Sequence, residues 1–403
     1  KNFSPLPKMR FYLLRVPFFL FLSFFFFPLE DMPLPNNWTL DDVLALSLHP
    51  HTKARDTRAL VERYSSLETL LQNAPDALSK ARATNGSLFA AEQVDELRRN
   101  AAEQRELCAK NGVQTISFWD EEYPALLKEI YYPPTFLFVR GRLQAPDAAA
   151  IAIVGTRHCT DYGKMVAEQY AEFCARAGVV VVSGMATGID AFAHKAVVKS
   201  GGVTYAVIAS GIDKISSSAA RRLADEICER GAVVSEYPMG TPAMPAYFPR
   251  RNRIISGIAQ GTLVVQSGEK GGSLITAQFA IDQNRELFAA PGGIYSERSK
   301  GSNRLIQRSQ AHLTLTPEDM FQTLGFATNA ASKTAAYDDG DGAELSGVEA
   351  GVYKELADSD PVHIEALALK TGLASQDLLV ILLQLEFKGK IRQLAGKQFM
   401  KRV

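Results

Sequence analysis

Several groups of residues in the middle of this chain have the types and spacing needed to hold an anion against backbone N–H groups. The first is Gly155-Thr156-Arg157, directly after the apolar run Ile153-Val154. The second is Ser183-Gly184-Met185-Ala186-Thr187-Gly188-Ile189-Asp190, directly after the valine run that begins at Val179. In an open parallel sheet a ligand sits beyond the carboxyl ends of the strands, where glycines let the main chain approach it closely. Asp190 reads either as a helix N-cap or as the partner of His194 one turn later; no nucleophile or metal cluster accompanies the pair, so His194 is not read as a base.

A third group, Phe248-Pro249-Arg250-Arg251-Asn252-Arg253-Ile254-Ile255, sets three arginines ahead of an amphipathic helix start. Guanidinium forks match phosphate oxygens, and an Asn between them can serve a sugar or a base edge. A solvated basic turn is the plainer alternative. Gly268-Glu269-Lys270-Gly271-Gly272-Ser273 then forms a second glycine turn running into a helix, with Ser273 expected both to cap it and to bond a phosphate. The last group is Ala290-Pro291-Gly292-Gly293, with Gly301-Ser302-Asn303 downstream. Neither a Walker loop nor a dinucleotide Gly-x-Gly-x-x-Gly is matched, so ATP and NAD are disfavoured and no cofactor is expected.

The elements that must carry these turns are legible as an alternation. Strand-like runs Ala152–Val154, Val179–Ser183, Thr204–Ala209, Ala232–Ser235, Thr262–Val265 and Leu287–Ala289 alternate with helical patterns over Gly163–Ala177, Asp190–Lys199, Ala219–Arg230 and Ser273–Gln283. Near-continuous apolar strands separated by helices predict an α/β fold with a doubly wound, Rossmann-like sheet covered on both faces.

Composition bounds the rest. At 403 residues the chain is long enough for two or three domains. With 44 basic and 44 acidic residues the total charge argues for no partner, but its distribution does. Between Met244 and Gln310 nine Lys or Arg face four acids, and from Lys388 to Val403 there are six basic residues and no acid. The four cysteines are scattered without a Cys-x-x-Cys pair, which argues against zinc or a disulfide framework and fits a reducing cytoplasm.

Residues 1–31 differ from the rest. Phe11 to Phe27 is phenylalanine-dominated but broken by Arg15 and Pro17, and Phe18–Phe27 falls short of the roughly 20 residues a membrane span needs. Basic residues precede it as in a signal peptide, yet no small-residue cleavage site follows. The segment is read as a non-native or mis-assigned start upstream of Met32, rather than as an export or membrane-binding segment. Residues 32–115 read as an all-α module of the helix-hairpin-helix or SAM-like kind, opened by Thr39 as N-cap with Asp41 and Asp42 in the first turn. Residues 116–326 carry the Rossmann-like domain, the polar stretch 327–346 is a linker, and 347–403, two helices and a basic β-ribbon, describe a winged helix.

Taken together and in this order, Gly155-Thr156-Arg157, Ser183-Gly184-x-Ala186-x-Gly188-Ile189-Asp190, Phe248-Pro249-x-Arg251-Asn252-Arg253-Ile254-Ile255, Gly272-Ser273-Leu274-Ile275-Thr276-Ala277 and Pro291-Gly292 through Asn303-x-Leu305-Ile306 resemble the DNA-processing protein A family, also called DprA or Smf. The resemblance implies a protein that binds and protects single-stranded DNA, self-associates as a homodimer, and helps load the RecA recombinase during natural transformation, without enzymatic activity and without a membrane partner. It implies that Arg157, Ser183, Gly184, Arg251, Asn252, Gly272 and Ser273 lie along the DNA groove, and Gly188, Arg253 and Asn303 in the same motifs are expected to bind DNA with them. The chain departs from the family's Gly-x-Asp-x-x-Tyr-Pro turn, with Gly211-Ile212-Asp213-Lys214-Ile215-Ser216-Ser217 in its place.

Two rivals remain at this point. A phosphoribohydrolase-like enzyme has a similar sheet, but its Pro-Gly-Gly-x-Gly-Thr-x-x-Glu pattern is not met by Pro291-Gly292-Gly293-Ile294-Tyr295-Ser296-Glu297. A winged-helix regulator of duplex DNA is permitted by the tail alone.

Overall fold

Every apolar run predicted as a buried strand forms one, with ends shifted by no more than two residues. The computed structural model describes residues 34–49 except 36, 54–70, 91–326, 347–356, 360–388, 390–394 and 396–401, together with 52, 73 and 345. The atypical segment 1–31 and nearly all of the linker 327–346 lie outside the described residues. Among the described residues no single helix is long and apolar enough to cross a membrane.

The N-terminal module supplies helices α1 (Leu40–Leu48), α2 (Ala54–Arg63) and α3 (Ala91–Lys110). Thr39 caps α1 as its spacing predicts, its hydroxyl accepting the Asp42 N–H at 3.1 Å. The chain then runs through β1 (Val113–Ser117), α4 (Ala125–Lys128) and β2 (Phe136–Gly141).

The α/β domain follows as β3 (Ala150–Val154), α5 (Asp161–Arg176), β4 (Val180–Ser183), α6 (Ile189–Lys199), β5 (Thr204–Ile208), α7 (Ser218–Cys228), β6 (Ala232–Ser235), α8 (Tyr247–Ile258), β7 (Gly261–Val264), α9 (Ser273–Asp282), β8 (Glu286–Ala289), α10 (Lys300–Gln307), β9 (His312–Leu313) and α11 (Pro317–Leu324). One sheet of nine strands results, in the order β1-β2-β6-β5-β4-β3-β7-β8-β9. β3 to β9 are mutually parallel, while β1 and β2 add an antiparallel edge beyond β6.

Alternation along a strand feeds two cores. On β3, Ala150, Ala152 and Val154 pack with Ile254, Ile255 and Ala277 of α8 and α9. Ile151 and Ile153 point to the opposite face, against Val166 and Tyr170 of α5, Ile189 and Ala193 of α6, and Phe321 of α11. Burial on both faces is what the unbroken apolar runs require. The strand order reverses between β3 and β7, so the turns after these two strands diverge and leave a crevice at the carboxyl edge.

The C-terminal unit contains α12 (Gly347–Glu355), β10 (Val362–His363), α13 (Ile364–Thr371), α14 (Ser375–Phe387), β11 (Ile391–Leu394) and β12 (Gln398–Lys401). Its strands pair in the order β10-β12-β11, and a core of its own includes Val352, Leu367, Leu378, Leu382 and Phe399. A β-ribbon folded back on three helices is a winged helix.

Candidate nucleic-acid interface

The turns after all seven parallel strands open on one edge of the sheet, and every site residue expected from the sequence sits on or just behind that edge. The structure divides those residues into a surface that meets solvent and a frame that shapes it.

Arg157 belongs to the surface. It projects from the turn after β3, is exposed, and lies over the Phe248 ring at 5.6 Å with no ion-pair partner among the described residues. Its position depends on Gly188 in the adjacent turn after β4, which adopts φ +83, and a Cβ there would meet the carbonyl oxygens of Thr156 and Arg157. Only glycine fits at both counts. Gly272 is also exposed, with open space around it, and its carbonyl lies 3.5 Å from the half-buried Asn252 Nδ2.

Arg251 belongs to the frame, buried behind the edge rather than exposed along it. The three arginines do not precede the helix: α8 already begins at Tyr247, with Pro249 in its first turn, where a missing N–H costs nothing. Helical spacing then puts Arg251 on the same stripe as Ile254, Ile255 and Ile258, and that stripe faces the sheet. The side chain is only 5% exposed. Its Nη1 donates to the Gly184 carbonyl at 2.6 Å and to the Val207 carbonyl, tying the ends of β4 and β5 together. Burial pulls its pKa down to about 10, opposed by the Asp190 carboxylate, so it stays cationic at neutral pH.

Asp190 is buried beside it and accepts the Ala186 N–H at 3.4 Å. Burial raises its pKa and the Arg251 charge opposes that rise. A Cβ on Gly184 would lie 2.7 Å from Asp190 Oδ2 and 2.8 Å from both terminal nitrogens of Arg251, so this glycine makes room for both side chains. The helix N-cap is Gly188 rather than Asp190. His194 does not pair with Asp190 either. Its Nδ1 lies 2.7 Å from Thr204 Oγ1, whose own proton goes to the Val181 carbonyl at 2.6 Å, so the ring carries its hydrogen on Nδ1. Nε2 is buried with no partner among the described residues, and burial drives the His194 pKa down to about 3.

The remaining expected residues also serve the frame. Ser183 is fully buried and donates to the Ile153 carbonyl at 2.6 Å. Ser273 is the first residue of α9 rather than its cap, which is Gly272, and its hydroxyl donates inward to Ser267 Oγ at 2.9 Å. Arg253 forms a half-buried fork with Glu236, at 2.6 and 3.2 Å. Asn303 clamps Gly292 reciprocally, accepting its N–H at 3.0 Å and donating to its carbonyl at 2.9 Å.

The basic excess of the sequence therefore resolves into few free cations. Arg253, Lys300 and Arg304 are neutralised by Glu236, Glu297 and Glu269, and Arg285 lies before β8, at the opposite edge, against Glu129. Arg157, Arg250, Lys270 and Arg298 stay exposed around the carboxyl edge with no ion-pair partner among the described residues. Arg250 and Lys270 stood within the sequence motifs and Arg298 only in the charge count; which cations had acidic partners was not visible in the sequence.

This arrangement can hold a run of phosphates by backbone and guanidinium groups, while the buried Arg251 guanidinium and inward hydroxyls keep the crevice in shape. Among the described residues no group of three or more His, Cys, Asp or Glu is placed to hold a metal ion.

The chain is 42% identical over 216 residues to the DNA processing protein DprA of Bacillus subtilis, covering 53% of this chain and 72% of that one. It is 31% identical over 319 residues to the protein Smf of Synechocystis, covering 70% and 79%. The X-ray structure of DNA processing protein A from Streptococcus pneumoniae superposes with a TM-score of 0.57 at 30% identity, covering 70% of this chain and 97% of that one. Residues 338–397 match the DprA winged helix domain. Residues 114–325, more than half of the chain, match the DNA recombination-mediator protein A family, and the chain belongs to that family.

Proposed function

We propose that this protein binds single-stranded DNA across the carboxyl edge of its sheet and acts as a binding protein rather than an enzyme. The observation that carries the reading is the set of four unpaired cations, Arg157, Arg250, Lys270 and Arg298, on turns whose glycines open the main chain to a phosphate backbone. Contacts of this kind hold the sugar-phosphate chain and confer little sequence preference. Membership of a recombination-mediator family supports a further step, in which the bound strand is protected and passed to the RecA recombinase during natural transformation, with the protein acting as a homodimer.

The test is anisotropy titration of the full chain with single-stranded and duplex oligonucleotides over a range of salt, alongside an assay for base released from nucleoside monophosphates. Single strands should bind more tightly, with a steep inverse dependence on salt, and no base should be released. Preference for duplex would favour a regulator, and released base an enzyme. A strand-exchange assay with RecA on strands coated by a competing binding protein tests the later step, since a mediator must shorten the lag.

A further inference from the structure

The turn after β8 carries two large apolar side chains at its tip, Ile294 and Tyr295, which are 75% and 91% exposed. The turn itself is held firmly. Tyr162 Oη donates to the Pro291 carbonyl at 2.5 Å, Asn303 clamps Gly292 from both sides, and Ser296 N–H closes on the Gly293 carbonyl at 2.9 Å. Gly301 N–H, 2.7 Å from the Ser267 carbonyl, ties its far end to the turn after β7. A braced turn thus presents its apolar pair to solvent at the edge where the crevice lies.

The surrounding charge says what would cover that pair. Glu297 and Glu269 are neutralised by Lys300 and Arg304 at 2.6 Å each, while Arg298 and Lys270 have no ion-pair partner among the described residues. The turns after β7 and β8 abut, since a Cβ on Gly268 would lie 3.4 Å from the Glu297 carbonyl and one on Gly301 2.5 Å from the Gly268 carbonyl, so Lys270 and Arg298 sit on neighbouring turns. An aromatic ring flanked by free cations, continuous with a phosphate-holding crevice, suits a ligand with alternating anionic and flat apolar groups. An unpaired nucleic-acid strand has that pattern, and every base has a face that stacks.

We propose that Ile294 and Tyr295 form a stacking platform for an unpaired base, extending the path of the strand from Arg157 across the β8 turn between Arg298 and Lys270. This rests on the single-strand reading above. Tyr295 supplies the flat surface and Ile294 its apolar border, while the neighbouring cations hold the flanking phosphates.

The experiment compares the full chain with Tyr295→Ala and Tyr295→Phe on two labelled strands of about 20 nucleotides, long enough for one site. One is oligothymidylate and the other an abasic strand of equal charge. Tyr295→Ala should weaken oligothymidylate binding by about 5- to 150-fold, the span that loss of one stacked base converts to, and leave the abasic strand unaffected. Tyr295→Phe should bind both like the parent chain. Unchanged affinity of Tyr295→Ala for oligothymidylate would overturn the platform, and so would an equal loss on both strands, which would mean that the ring only supports the turn. Failure of the parent chain to bind either strand would instead remove the single-strand reading, and this inference with it.

Discussion

Replacing Arg251 by alanine should unfold the α/β domain at lower temperature rather than simply weaken DNA binding. The guanidinium is 5% exposed, holds the Gly184 and Val207 carbonyls, and is the cation beside the buried Asp190 carboxylate. Its removal leaves the Gly184 and Val207 carbonyls without that donor and takes the positive charge from beside the buried Asp190. Leaving a buried acceptor unsatisfied costs about 1–3 kcal/mol, so losing the donor to both carbonyls costs about 2–6 kcal/mol. For a domain of this size each kcal/mol moves Tm by about 2–4 °C, so a fall of about 4–24 °C is expected by calorimetry or circular dichroism of the full chain. The double substitution Asp190→Asn with Arg251→Ala should recover part of that loss, because the stranded charge is gone while the carbonyls stay unpaired. Arg157→Ala should leave Tm unchanged and lower affinity for single strands. A variant Arg251→Ala that melts within about 1 °C of the parent yet binds DNA as poorly as Arg157→Ala would refute the reasoning, since it would place the guanidinium against the strand.

Three further outcomes follow from the same geometry. Arg157→Ala should cost about 10- to 100-fold in single-strand affinity, the range for a hydrogen bond to a charged group, and reduce the slope of log K against log salt by about 0.7, measured by titration across a salt series. Below pH 6.5 the unfolded chain binds a proton at His194 that the folded chain, with its pKa of about 3, refuses, so stability is full above pH 6.5 and is lost as pH falls; by pH 5 the loss is about 2 kcal/mol, and His194→Gln should flatten that limb in urea titrations at stepped pH. Finally, α14 carries no Lys or Arg and exposes Leu379, Val380 and Leu383, whereas a helix entering the major groove needs cations for phosphate, so truncation after residue 326 should change duplex affinity by less than about threefold in the same anisotropy assay.

The sequence by itself determined the architecture and where its ligand edge lies. Six apolar runs at parallel-sheet spacing became β3 to β8, and glycine turns after them marked the carboxyl edge, because both signals are local and period-driven. The ordered motifs were enough to identify the family resemblance. What only the tertiary structure decided was which polar residues face the ligand. Arg250, Arg251 and Arg253 are near neighbours in sequence, yet the helical twist sends the first to solvent, the second under the sheet's edge, and the third onto Glu236. That outcome depends on where α8 begins, and Pro249 invites a start after it whereas the chain starts at Tyr247. Ser183, Ser273 and His194 were likewise settled by partners far away in sequence, at Ile153, Ser267 and Thr204. Exposure of Tyr295 was invisible for the same reason. A local pattern shows that a residue lies in a turn, but only packed neighbours decide whether its side chain is covered, and a charge counts toward binding only once the fold has denied it an internal partner.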